Sequence, residues 1–229
     1  MGNDAASTKS TITKLIMYPA IITLAITLLR LFGELLHGPA VLFSRAEGGG
    51  GAIVGITWLP FIFGPYFAVK LIDRNLRPSS LGKTIGFALL GFLILLSGSY
   101  IAFTPAVSFT GHLAVGLLLM VIAAGLQYIP WREFAQTLIA YAYLARIPVA
   151  IVMFFAMLGH WGTHYDAVLA PYDQLPFLTK YLYMAIAPQL VMWIAFTMTV
   201  GALFGGIYAA IFRRKKSVAT AAGQQAAGA

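Results

Sequence analysis

The chain contains no cysteine, which removes disulfide bridges, thiolate metal ligands and cysteine nucleophiles together. Charge is also scarce: Asp, Glu, Lys and Arg make up 10% of its 229 residues, against about 25% in a soluble domain. Acidic side chains are fewest, seven against fifteen Lys and Arg. No complete P-loop, dinucleotide, kinase, rhomboid-like or zinc-protease signature occurs, so no enzyme class is indicated. What is abundant is apolar surface, since 60% of the residues are hydrophobic. One soluble core of this length could not hide that surface, whereas a bilayer accepts it directly.

Six apolar stretches are long enough to cross a hydrocarbon core of about 30 Å, which takes roughly 20 helical residues. They cover residues 13–32, 52–72, 84–103, 112–128, 134–158 and 187–212. Each is continuously apolar, without the alternation of a barrel strand, so the expected fold is all-α, a polytopic transmembrane helix bundle. Residues 1–12 read as a short polar segment, 13–212 as the membrane domain, and 213–229 as a basic stretch followed by a low-complexity, disordered tail. Lys9 and Lys14 precede the first apolar run as in a secretory signal. No small-residue cleavage site follows, and Glu34, Leu35, Leu36 and His37 come next, so an uncleaved first helix is expected.

The net charge of +8 could signal nucleic acid, but the basic residues flank apolar runs instead of forming a face on a soluble module. Membrane lipids, not nucleic acid, are the expected partner. Lys9, Lys14, the group from Lys70 to Lys83, Arg132, and Arg213 to Lys216 fall on one side if every span is crossed once, and only Arg30, Arg45 and Lys180 on the other. By the positive-inside rule both termini are cytoplasmic. A five-helix alternative makes residues 52–72 re-entrant around Pro60 and Pro65. The alanine- and glycine-rich style suggests a bacterial inner membrane. Gly51 and Gly55, Gly82 and Gly86, and Gly201 and Gly205 have the small-xxx-small spacing that lets helices approach, a route to a homo-oligomer or to a partner in a membrane complex.

His37, His112, His160 and His164 all fall on the outer side of this topology, with Glu34, Glu47, Asp166 and Asp173. His160 and His164 have i, i+4 spacing, which on a helix places both rings on one face, as in zinc sites. Asp166 or His112 could complete a divalent-metal set or an acid–base pair, although Gly159 and Gly162 interrupt the helix there. The plainer reading is that these histidines, with Trp161, Tyr165, Tyr172 and Tyr181, hydrogen-bond at the headgroup level, and no cofactor is then required. Glu34 and Arg30, one turn apart, read as a surface pair of little consequence.

Arg146 stands near the middle of the fifth span, where an unpaired charge is costly. It must face the bundle interior, with Gln189, Thr197, tyrosine hydroxyls or carbonyls freed by Pro148 and Pro188 as its partners. Arg146 with Gln189 is therefore a candidate intramembrane polar site for an anion or a lipid headgroup, or else a structural lock between helices. Three functions fit: a small permease or accessory subunit of a membrane complex; a membrane-embedded enzyme using the outer His/Asp cluster on lipid or envelope substrates; and a purely structural bundle.

Overall fold

Runs of leucine, isoleucine, alanine and phenylalanine become helices in lipid because a helix satisfies its backbone hydrogen bonds within itself. The computed structural model describes residues 2–213; Arg214, Lys215, Lys216 and the expected tail lie outside the described residues. Among the described residues there are six helices and no strand. They are α1 (Gly2–Leu35), α2 (Leu59–Ile72), α3 (Leu81–Phe103), α4 (His112–Tyr128), α5 (Arg132–Gly159) and α6 (Phe177–Phe212). Four are long and apolar enough to cross a membrane: Thr8–Leu35 within α1, then α3, α5 and α6.

Of the remaining two, α4 keeps the bounds read in the sequence, residues 112–128, and α2 does not. α2 has 14 residues, a rise of about 21 Å, and begins at Leu59 instead of residue 52. The connection itself supplies the reason. The backbone N–H groups of Ile53 and Val54 donate to the carbonyls of Val41 and Leu42 at 3.0 and 3.2 Å instead of starting a helix, and the next helix begins with Pro60 in its first turn, where no N–H is needed. α4 is also a shorter apolar helix. α6, by contrast, starts at Phe177, ten positions before the expected residue 187, and runs through Pro188 instead of starting beside it. At the other end of the chain, α1 is already helical from Gly2, so residues 2–12 continue the first helix.

α6 is the hub of the bundle, packing against α2, α3, α4 and α5, while α1 lies on α5 and the edge of α2. Glycine allows the closest approach. A Cβ on Gly64 of α2 would collide with the backbone of Gly201 of α6, and one on Gly205 would lie 2.9 Å from the carbonyl oxygen of Gly64. The Gly201 and Gly205 face is thus occupied inside the chain. Gly98 and Gly116 make the same kind of crossing between α3 and α4. The main core joins Leu15, Phe67, Leu71, Phe134, Leu138 and Met198, with Tyr141 reaching across to accept or donate a 2.9 Å hydrogen bond with Thr23 of α1.

The outward faces are as apolar as the core. Ile21 and Phe32 of α1, Leu93 of α3, Leu118 of α4, Leu158 of α5 and Ile211 of α6 are all well exposed. A surface of this kind on every long helix is matched by lipid, not water, and the chain is a membrane protein. Hydrogen bonds define its two ends. At one, Trp131 donates to the carbonyl of Leu76 at 3.1 Å, Ser79 to that of Pro130, and Arg213 pairs with Asp73 at 3.0 Å. At the other, α1, α3 and α5 finish and α2, α4 and α6 begin, joined by the long connections 36–58 and 160–176.

Candidate anion-binding cavity

The end that holds the long connections is organised by the last turns of α1. Arg30 and Glu34 are one turn apart on one helical face, and the Arg30 Nε donates to Glu34 Oε1 at 2.8 Å. The pair is not on the surface, as its spacing alone suggests: Glu34 is 1% exposed and Arg30 8%. Burial follows because two loops fold over it. From residues 160–176, the backbone N–H of His164 donates to Glu34 Oε2 at 2.8 Å, and His164 Nδ1 lies 2.5 Å from Oε1. From residues 36–58, the carbonyls of Ser44 and Gly49 accept from Arg30 Nη2 at 3.1 and 2.9 Å. One carboxylate and one guanidinium therefore hold three segments together.

Burial disfavours the charged imidazole and holds the His164 pKa below its ordinary value, outweighing the hydrogen bond to Glu34, which acts the other way. His164 is accordingly neutral near pH 7, its Nδ1–H donating to Glu34. Tyr165 is buried too; its hydroxyl donates to the carbonyl of Thr27 at 3.3 Å, and burial raises its pKa. This ring was expected at the headgroup level but turns inward onto α1. Asp166 is engaged locally, accepting from the backbone N–H groups of Thr163 and Gly162 at 2.7 and 2.9 Å and from the Thr163 hydroxyl at 2.6 Å.

Below this clasp lies a cavity of about 320 Å³, lined by both Arg30 and Arg146. Arg146 is 4% exposed, and its Nη1 donates to Gln189 Oε1 at 3.3 Å. Its guanidinium carbon sits 4.5 Å from the ring centre of Trp193, a cation–π contact. A guanidinium has five N–H donors, and Gln189 takes one. Among the described residues no carboxylate pairs with Arg146.

The cavity wall facing α5 is built by an irregularity in α6. Leu182–Ile186 and Pro188–Met192 are wound as π-helix. Pro188 has no N–H to offer the carbonyl one α-turn back, so the regular pattern cannot pass through it. The consequence is a change of facing. Tyr183, Pro188 and Trp193 recur every five residues, as do Met184 and Gln189, and all five line the cavity. On a regular α-helix, positions five apart point about 140° away from each other. The wider π turn brings them onto one side.

Of the residues singled out in the sequence, Arg146 and Gln189 meet as described. The histidines disperse. α5 ends at Gly159 and His160 caps it with φ of 50°, so His160 and His164 do not share a helical face. His160 and Asp166 line a second cavity with Glu47, Asp173 and Lys180, while His164 faces Glu34. His112 heads α4, its Nδ1 at 3.2 Å from the carbonyl of Ile101. Among the described residues no three His, Asp or Glu side chains are grouped to hold a metal ion.

Arg30 and Glu34 are the site residues that sequence reasoning passed over. The local signal was only their spacing; the contact that buries them spans 130 positions, from Glu34 to His164. No family model, curated protein or solved structure matches the chain, and what the cavity does follows from its own chemistry.

Proposed function

We propose that this membrane protein is a small permease, or the solute-binding subunit of a membrane complex, that accepts an anion beside Arg146. The observation that carries the reading is Arg146 itself, buried, without a carboxylate partner among the described residues, and opening onto a cavity with four of its five donors free of Gln189. A charged side chain at the centre of a transmembrane helix costs about 2.5–3.5 kcal/mol on insertion scales, and an anion in the cavity offsets part of that cost. The broken helix points the same way, because irregular backbone at membrane depth is tolerated where it lines a cavity, as in transporters.

In this reading the chain crosses the bilayer six times, with α2 extended by residues 52–58, both termini cytoplasmic and the cavity at the outer face of a bacterial inner membrane. The basic residues around the Asp73–Arg213 end support that orientation. The catalytic alternative draws less support, since His164 and Asp166 are each engaged by a different neighbour.

The test is thermal unfolding of the full chain, purified in neutral detergent, against a panel of organic and inorganic anions. At least one anion is expected to raise the melting temperature, and Arg146→Gln to abolish that rise while leaving the anion-free melting near the unmutated value. Loss of folding in both Arg146→Gln and Arg146→Leu would instead make the arginine a structural lock.

A further inference from the structure

We infer that the anion taken up beside Arg146 carries a single negative charge on a compact apolar body; this deepens the anion-binding reading and rests on it. Charge balance comes first. Of the two arginines lining the cavity, Arg30 is already neutralised by Glu34 at 2.8 Å, and neutral His164 adds nothing. Arg146 is the one lining cation left without a carboxylate among the described residues. A monoanion balances it. A dianion such as HPO4²⁻ would leave a net negative charge beside Arg146, which is 4% exposed, and an uncompensated ion with so little solvent contact is strongly disfavoured.

The walls give the rest of the ligand. Phe103, Val149, Met153, Met184 and Met192 line the same space as the arginine, so most of the ligand meets carbon and sulfur. Trp193 covers the face of the guanidinium, and Gln189 holds Nη1, which leaves an edge of the planar group for the head. A carboxylate or phosphodiester can accept two parallel hydrogen bonds there. At about 320 Å³ the cavity falls near the lower end of small-molecule sites, which span about 300–1,000 Å³, so the apolar body is short. The head is borne either by a soluble monocarboxylate or by a lipid that places only its head and the start of its chain in the cavity, and the shared chemistry is one charge beside a short apolar segment.

The experiment is calorimetric titration of the full chain in discs of zwitterionic phosphatidylcholine, with octanoate, octanol and inorganic phosphate as probes and empty discs as the blank. Octanoate is expected to saturate one site, with octanol and phosphate at least tenfold weaker. Arg146→Gln should weaken octanoate at least tenfold. Val149→Trp, which fills the apolar wall and leaves the arginine in place, should do the same and keeps the test open should the arginine variant fail to fold. Phosphate binding as tightly as octanoate would overturn the apolar body while leaving the anion reading intact. Octanol matching octanoate, with no effect of Arg146→Gln, would overturn both. Discs containing phosphatidylglycerol separate the sources: competition with octanoate assigns the head to a lipid, and its absence to a soluble acid.

Discussion

Glu34 ties the 160–176 connection to the last turns of α1, because Arg30, the His164 ring and the His164 backbone all bond to it. Glu34→Gln would leave Arg30 without its countercharge. Breaking a buried pair from one side costs about 3–5 kcal/mol, and a loss near that size is expected in denaturant unfolding of the purified chain. A loss below about 1 kcal/mol would place the pair among ordinary surface bridges. His164 adds a pH dependence of definite sign. Its folded pKa lies below the unfolded value of 6.5, so the unfolded chain takes up the proton first. The groups facing it are Glu34, Arg30 and Asp166. Stability should be fully present above pH 6.5 and fall as the pH drops from there toward the folded pKa. Melting temperatures across about pH 8 to 5 will show it, and His164→Gln should flatten the slope. At this scale Arg146 was legible in the sequence, since a charge amid apolar residues announces itself. Glu34 was not, because its importance comes from a loop far along the chain.

At the scale of the helix, lipid-facing and buried glycines make opposite predictions. Gly201→Leu would drive its side chain into Leu138 of α5, whose Cδ2 lies 2.6 Å from the Cβ position, and should destabilise by the ~1–3 kcal/mol of ordinary overpacking. Gly86 has open space around its Cβ position, and Gly86→Leu should stay within about 0.5 kcal/mol. Unfolding of the two variants side by side checks the packing, and equal effects would contradict it. Both glycines have small-xxx-small spacing in the sequence, and periodicity cannot say which pair faces a neighbour. Helix existence was readable from hydropathy because lipid demands it, whereas the starts of α1, α2 and α6 were not. The start of α2 is delayed because Ile53 and Val54 bond to Val41 and Leu42 across the connection, and that of α6 is moved by a π-helical passage through Pro188 that hydropathy does not register.

The whole chain sorts its polarity between two ends. The connections beside Lys70, Arg74, Arg77 and Arg132 meet through Trp131, Ser79 and the Asp73–Arg213 pair, and the cavity with its clasp lies where α1, α3 and α5 finish. In the proposed reading, that separation gives a set of apolar helices one anion-accepting face. It depends on the lipid bilayer lying between the two ends. The absence of cysteine makes the decisive measurement clean, because one introduced thiol is the only one in the chain. Ala170→Cys, in the exposed loop beside the cavity, and Ser79→Cys, in the basic connection, should be labelled in intact cells with a membrane-impermeant maleimide. Ala170→Cys is expected to react from outside and Ser79→Cys only after permeabilisation; labelling of both from the same side would place the two ends on one face of the membrane and overturn the proposed topology.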